Sequence, residues 1–348
     1  MKTQNEFNIR DFAKSKRKTI SISQEMLIKT GYLWPDSTFP LVIRPAIQEM
    51  NLAAWAASNL ESLTLNLSRH GAILFRGFKV SSIEDFRLLM TNISGELLEY
   101  TYRSTPRTEV SGKVYTSTEY PPDHSIPLHN EMAYSLQWPM KIWFHCLLPA
   151  QEGGATPIAD SRRVFNRISP SIRSRFEQKG VMYLRNYGGS LDLPWQKVFG
   201  THNKADVEHY CHIRSIKFEW KDKDELRTRQ VCQSTAIHPK TGERIWFNQA
   251  HLFHISSLHP SVQESLLKTF DEMNLPRNVY YGDGSAIESS ALDEIRNAYE
   301  QESIVFLWEQ YDVLMLDNML AAHGRQPYKG ERRVLVGMAE PYSLTRRS

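Results

Sequence analysis

Three side chains in this sequence make up the donor set of a mononuclear metal site. His129 and Glu131 lie two residues apart in Pro127-Leu128-His129-Asn130-Glu131-Met132-Ala133-Tyr134. In extended chain alternate side chains share a face, so both would point the same way and take adjacent positions on one ion. A second imidazole from far along the chain would complete that face. The candidate is His323, within Asp317-Asn318-Met319-Leu320-Ala321-Ala322-His323-Gly324-Arg325. Two histidines and one carboxylate, with open positions opposite, form the facial ligand set of non-haem Fe(II) sites. Arg333 opens the next apolar run, Arg333-Val334-Leu335-Val336-Gly337-Met338, and adds a permanently charged fork that binds a carboxylate through two hydrogen bonds. The same triad around an activated water would suit a zinc hydrolase. Arg333 weighs against that reading, because hydrolysis uses no anionic co-substrate.

The bulk properties narrow the setting for such a site. At 348 residues, with 41% hydrophobic and 23% charged residues, the chain has the composition of a globular protein able to bury a large core. A net charge of +3 is too small to imply a nucleic-acid partner or a membrane surface. No apolar run is long enough for a transmembrane helix, and the polar N-terminus lacks a signal-peptide core. Cys146, Cys211 and Cys232 are scattered, odd in number and without metal-site spacing, so reduced thiols in a cytoplasmic protein are expected. Residues 1–20 carry Lys14, Lys16, Arg17 and Lys18 among polar neighbours and read as a mobile basic tail on a single domain spanning 1–348.

The elements that must hold the triad follow from periodicity. Leu52, Trp55, Ala56, Leu60, Leu63 and Leu67 recur at helical spacing, with Asn51 to cap and Gly71 to stop the helix. Ala72–Phe75 is a short buried strand, and a second helix starts at Ser82 with Phe86, Leu89 and Met90 inward. Residues 100–127 read as a loop crossing the front of the site. Ile142–Leu148 is a continuous apolar strand. Gly153-Gly154 turns the chain into a strand at Ala155–Ala159, and Ser169-Pro170 opens a helix that Gly180 closes. A hairpin is expected over 231–247 around Pro239–Gly242, helices over 260–272 and 290–300, and strands at Val313–Leu316 and Arg333–Met338. With no repeat and no linker, the pattern is mainly β with appended helices, a jelly roll. Tyr102, Arg103, Tyr115 and Tyr120 of the front loop, with Trp246-Phe247-Asn248-Gln249, are candidates to line a substrate pocket. Asn130 should face away from the metal and position backbone, while His251, His254, His209 and His212 read as structural.

The stretches Leu128–Tyr134, Gly153-Gly154-Ala155-Thr156-Pro157-Ile158-Ala159-Asp160-Ser161-Arg162 and Asp317–Arg325 together resemble the taurine dioxygenase family of Fe(II)/2-oxoglutarate oxygenases. The likeness is strongest to the branch of the syringomycin-pathway aspartyl hydroxylase and the clavaminate-synthase-like proteins, and it runs from about Ala72–Phe78 to Met338. The resemblance implies a distorted double-stranded β-helix in which His129, Glu131 and His323 hold Fe(II). It implies that Arg333 and the Thr156 hydroxyl grip the distal carboxylate of 2-oxoglutarate, with O₂ as the other co-substrate. Two departures stand out. The commoner family triad has Asp where this chain has Glu131, and the clamp arginine of clavaminate synthase falls at Gly337 here, so Arg333 is preferred, over its neighbour Arg332. A carboxylate kept on the iron implies hydroxylation, since related halogenases replace it with a small residue to admit chloride. By analogy with the branch, the expected substrate is a small amino-acid-like molecule in secondary metabolism, free or tethered to a peptidyl carrier protein. Homo-oligomers are compatible with this reading. The alternatives are desaturation or ring closure by the same oxidant, or a non-catalytic jelly-roll binding protein. That last has no need for the triad, Thr156 and Arg333 together.

Overall fold

The computed structural model describes residues 27–100, 102, 107–117, 120–188 and 192–344. The basic tail and Arg103 lie outside the described residues.

The apolar runs build two facing sheets. Strands Ala72–Phe75, Val313–Asp317, Gln137–Leu148 and Arg333–Ser343 lie side by side within an eight-stranded sheet. Opposite it, a four-stranded sheet orders Ile304–Phe306, Thr156–Asp160, Ala321–Arg325 and Ile126–His129. The two-residue period of the strands decides which side chain goes where. Ile142, Phe144, Cys146, Val334, Val336 and Met338 turn between the sheets and meet Ile158, Phe306 and Ala321. Trp143, Met315 and Leu335 turn outward, under Leu63, Leu67, Phe86, Leu89 and Met90 of the covering helices. Each such side chain fully buried contributes about 1.5–3 kcal/mol, which is why a continuous apolar run can be a central strand. This is the double-stranded β-helix layout that the sequence implied, with sheets that stay open.

Local chemistry modifies the expected elements. The helix expected from Asn51 to Gly71 is two, Leu52–Ser58 and Leu60–His70. It breaks at Asn59, whose side-chain amide donates to the Trp55 carbonyl at 2.7 Å and competes with the helical ladder. Asn51 caps the first helix and the left-handed Gly71 ends the second. Ser82 and Asp85 form a reciprocal capping box for Ile83–Ser94. The front segment is not wholly a loop. Glu109–Ser111 and Val114–Thr116 make a hairpin whose turn residues Gly112 and Lys113 both have positive φ, and the second strand pairs with Leu335 and Val336.

Between Asp160 and Ile304 the chain leaves the two sheets. It forms helices and a separate four-stranded sheet of Lys217–Trp220, Leu226–Cys232, Val181–Tyr187 and Arg277–Tyr281. This insertion returns to grip the segment that carries the proximal ligands. Gln249 Nε2 donates to the Asn130 carbonyl at 2.7 Å, and Gln233 Nε2 to the Ala133 carbonyl at 2.9 Å. His251 Nε2 bonds the Leu128 carbonyl at 2.9 Å, and Cys232 Sγ donates to the Tyr134 carbonyl at 3.3 Å. The insertion therefore positions the site as well as covering it.

The strand Ala321–Arg325 approaches Ile126–His129 closely at Gly324. A Cβ there would lie 2.6 Å from the Ile126 carbonyl oxygen, which is backbone and has nowhere to go. Gly324→Ala is therefore expected to push the two ligand strands apart, lowering stability by about 1–3 kcal/mol and weakening divalent-metal binding in the same protein. Denaturant unfolding and metal titration check both effects.

Candidate metal centre

The two sheets and the insertion bring the three expected ligands together. His129 ends the strand Ile126–His129, and His323 is its direct cross-strand partner, with ring centroids 4.5 Å apart. One nitrogen or oxygen from each of His129, Glu131 and His323 lies within 4.8 Å of the others, and this is the one such cluster among the described residues. Simple alternation does not deliver Glu131. The strand stops at His129, and the next residues turn, with Met132 at φ 57°. A buried residue held in that sparsely populated region is the kind of local strain that surrounding structure must enforce.

Asn318 does the enforcing. Its Oδ1 accepts from the Glu131 amide at 2.7 Å, while its Nδ2 donates to the Glu131 and Pro139 carbonyls, both at 2.9 Å. Asn130 faces away from the ligands, as expected, and its Nδ2 donates to Ser161 Oγ at 3.0 Å and to the Asn318 carbonyl at 2.7 Å. Asp317 accepts from the Met319 and Leu320 amides and from His238 Nε2 at 3.0 Å, fixing the turn that leads into the His323 strand.

The triad fits a divalent cation on its own geometry. His129 Nδ1 hydrogen-bonds the Pro127 carbonyl at 2.9 Å, which fixes the proton there and leaves Nε2 as a lone-pair donor. His323 is 4% exposed, and its Nδ1 has no hydrogen-bond partner among the described residues. Burial lowers the pKa of both histidines, His323 further because His129 stands beside it, so both imidazoles are neutral and ready to ligate. Arg107 Nη2 pairs with Glu131 Oε2 at 2.7 Å, both side chains buried. Nothing in the spacing of residues 100–127 pointed to Arg107.

Thr156 and Arg333 fare differently. Thr156 is buried on the strand that flanks His323, and its hydroxyl accepts from Trp308 Nε1 at 2.8 Å, leaving its own O–H to donate. Arg333 does not turn inward. Alternation along the strand puts Val334, Val336 and Met338 on the inner face and so leaves Arg333, exposed at the strand start, on the outer one; the register irregularity there skips Leu147 on the partner strand. The arginine that turns in is Arg332. Its Nε donates to the Gly154 carbonyl at 3.3 Å and its Nη1 to Ser117 Oγ at 3.4 Å, with the guanidinium over the Tyr328 ring. No acidic side chain pairs with it among the described residues. Burial, and then the charge of Arg325, pull its pKa down to about 10, the signature of a cation short of anions. Arg325 shares the His323 strand and donates to the carbonyls of Tyr120, Pro121 and His124, tying the front segment down.

The other candidates divide between core and support. Tyr102 and Tyr115 are buried, and Tyr115 Oη accepts from the Tyr100 amide at 3.1 Å, while Tyr120 is largely exposed. Trp246 and Phe247 pack into the core, and Gln249 works through backbone. His251 stacks on Tyr299, and His254 caps the short helical turn after it. His209 and His212 sit on the helix Lys204–Ile213, outside the ligand cluster.

This geometry defines a non-haem metal dioxygenase of double-stranded β-helix type. Comparison with known proteins agrees: residues 37–339 match the model of the taurine catabolism dioxygenase TauD, TfdA family. The chain belongs to that family and is an Fe(II)/2-oxoglutarate-dependent dioxygenase using O₂, with a small-molecule substrate. It is 43% identical to the dapdiamide synthesis protein DdaC of Enterobacter agglomerans, over 79% of this chain and 84% of that one. A clavaminate synthase-like protein of Arabidopsis thaliana is 30% identical, over 87% of this chain and 94% of its own. Among solved structures, PvcB of Pseudomonas aeruginosa shares the fold with a TM-score of 0.55 at 16% identity, covering 89% of this chain and 90% of that one. No helix among the described residues is long and apolar enough to cross a membrane.

Asn318→Ala is expected to cost about 3 kcal/mol or more, because it leaves buried groups of Glu131 and Pro139 unpaired. It should also weaken metal binding about 10–100-fold, read by titration of the folded variant. A second expectation concerns pH. Burial holds His145 and His251 down to about 4, against 6.5 for exposed histidine. The unfolded chain therefore takes up protons that the folded chain refuses. Metal-free protein should keep its full stability above pH 6.5 and lose it progressively between there and pH 4. Each of these histidines contributes about 1.4 kcal/mol per pH unit. Denaturant unfolding across that range checks the slope, and His145→Gln should flatten it.

Proposed function

We propose that this protein hydroxylates an unactivated C–H bond of an amino acid or an amino-acid-derived molecule in secondary metabolism. His129, Glu131 and His323 hold the iron, and Arg332 with Thr156 anchors the distal carboxylate of 2-oxoglutarate. One observation carries the reading: three donors lie within 4.8 Å of one another, in a fold whose nearby inward arginine has no acidic partner among the described residues. When bound, ferrous iron with 2-oxoglutarate and O₂ supplies oxidative decarboxylation to succinate and CO₂ and an oxidant able to take hydrogen from carbon.

The chain's own groups do the rest. Neutral imidazoles and a single carboxylate leave the opposite positions open. Arg332 presents a charged fork and Thr156 an O–H donor, so an anion with a carboxylate at its far end is oriented before the reaction. Arg332 takes the role that the sequence alone gave to Arg333, because alternation along the strand leaves Arg333 on the outer face, exposed. Phe144, whose ring lies 4.9 Å from that of His323, helps keep the site dry.

The substrate class rests on DdaC, a protein named for dapdiamide synthesis, together with PvcB, described as an oxygenase from an isonitrile synthetic pathway. A substrate tethered to a carrier protein is consistent with that setting. A single domain is supported by the insertion's hydrogen bonds to the ligand segment, and a cytoplasmic protein by three buried cysteines that form no disulfide with one another.

Anaerobic addition of Fe(II) and 2-oxoglutarate should produce the weak visible charge-transfer band of the chelate, and His129→Ala should abolish it. Arg332→Ala should raise the 2-oxoglutarate requirement by about 100-fold, from loss of a charged hydrogen-bonded pair, while Arg333→Ala leaves it within about twofold. The reverse pattern would return the anchor to Arg333. Screening amino acids and aminoacyl carrier proteins for substrate-stimulated succinate release tests the substrate class.

A further inference from the structure

We infer that Arg107 is a positioning residue that holds one oxygen of Glu131 and draws charge from it, so that the carboxylate meets the metal as a weakened, one-oxygen ligand. This inference rests on Glu131 being a ligand. Arg107 Nη2 lies 2.7 Å from Glu131 Oε2, and both side chains are 3% exposed. The other oxygen, Oε1, accepts from the Tyr100 hydroxyl at a long 3.5 Å, and one carboxylate oxygen lies within 4.8 Å of a nitrogen of each imidazole.

Arg107 is itself held in place. Its guanidinium lies 4.6 Å above the centre of the Tyr100 ring. Tyr100 is fixed in turn through its amide, which donates to Tyr115 Oη at 3.1 Å. The residue after Arg107 is tied to the front hairpin, since the Thr108 amide donates to Thr116 Oγ1 at 3.0 Å and the Thr116 amide to the Thr108 carbonyl at 2.8 Å. That hairpin is in turn a strand of the large sheet. The arginine is thus fixed from the sheet that faces the ligands.

Two consequences follow from charge. A buried cation a few ångströms from a carboxylate competes with a divalent ion for the same electrons, so the triad binds its ion less tightly than it would alone. An oxygen already engaged by Arg107 cannot swing onto the metal. A two-oxygen Glu131 would block a position that a chelating co-substrate and O₂ require, and Arg107 prevents it. A merely structural arginine would act in the opposite direction, since its loss would loosen the carboxylate and weaken binding.

The test is Mn(II) titration of metal-free full-length protein, with free Mn(II) read from its electron paramagnetic resonance signal. Arg107→Gln keeps a neutral donor and removes the charge, and should bind Mn(II) on the order of tenfold more tightly. Arg107→Lys restores the charge and should return to within about threefold of wild type. If the glutamine variant melts early, Arg107→Met removes the same charge with a different shape and decides the matter. Equal or weaker Mn(II) binding in a charge-removed variant that melts like wild type would overturn the inference while leaving the site standing. Wild-type protein that takes up no Mn(II), or Glu131→Ala that binds it as wild type does, would overturn the metal site itself.

Discussion

The site depends on one antiparallel ladder, in which His129 and His323 are paired directly across neighbouring strands. A cross-strand pair has a fixed spacing set by backbone hydrogen bonds, so two imidazoles distant in sequence are held without either side chain needing support of its own. Closing so long a loop costs entropy only logarithmically in its length, and the apolar layer between the sheets offsets it many times over. Glu131 lacks that security. It sits past the end of the ladder, beside a positive-φ residue, and is fixed by the side chain of Asn318. The ligand set is thus rigid on one side and braced on the other.

The electrostatic pattern around the ligands explains why the fold favours an anionic co-substrate over hydrolysis. The inner face gathers Arg107, Arg325 and Arg332, and the imidazoles near them are kept neutral by burial. Arg107 finds Glu131, and Arg325 finds three backbone carbonyls. Among the described residues, Arg332 finds a carbonyl and a hydroxyl at long range and the face of the Tyr328 ring, and no carboxylate. A half-buried cation in that state is stabilised by a negative group placed before it.

Much of this was legible from residue order, and the failures have physical causes. The period-2 runs Ile142–Leu148, Val313–Leu316 and Arg333–Met338 became central strands because their apolar side chains serve two cores at once. The triad was readable because His-x-Glu and a distant His are rare in combination, although the alternation argument for Glu131 was overtaken by a turn. Arg333 lies on the outer face because the strand alternates without a break from it to Met338, and residue order alone does not say which of the two faces of that run is the inner one. Asn318 stood within a quoted motif, yet a side chain that acts on backbone leaves no periodic mark. Arg107 lies in a stretch with no period at all. The strands of the insertion, such as Val181–Tyr187 and Leu226–Cys232, were missed because they mix charged and apolar residues on a sheet that covers a second core.

The grip of the insertion on residues 128–135 has a consequence for how such a protein can change its tastes. Gln249, Gln233, His251 and Cys232 hold the peptide groups of the ligand-bearing segment, and they belong to the same body whose aromatic interior adjoins Met132 and Tyr134. The wall and the hinge are one piece of masonry. Reshaping that wall for a different guest would tug on the stonework that aligns the metal. Latitude for new chemistry should therefore lie on the opposite bank, in residues 107–117 of the front segment, where Arg107 touches the centre through its side chain.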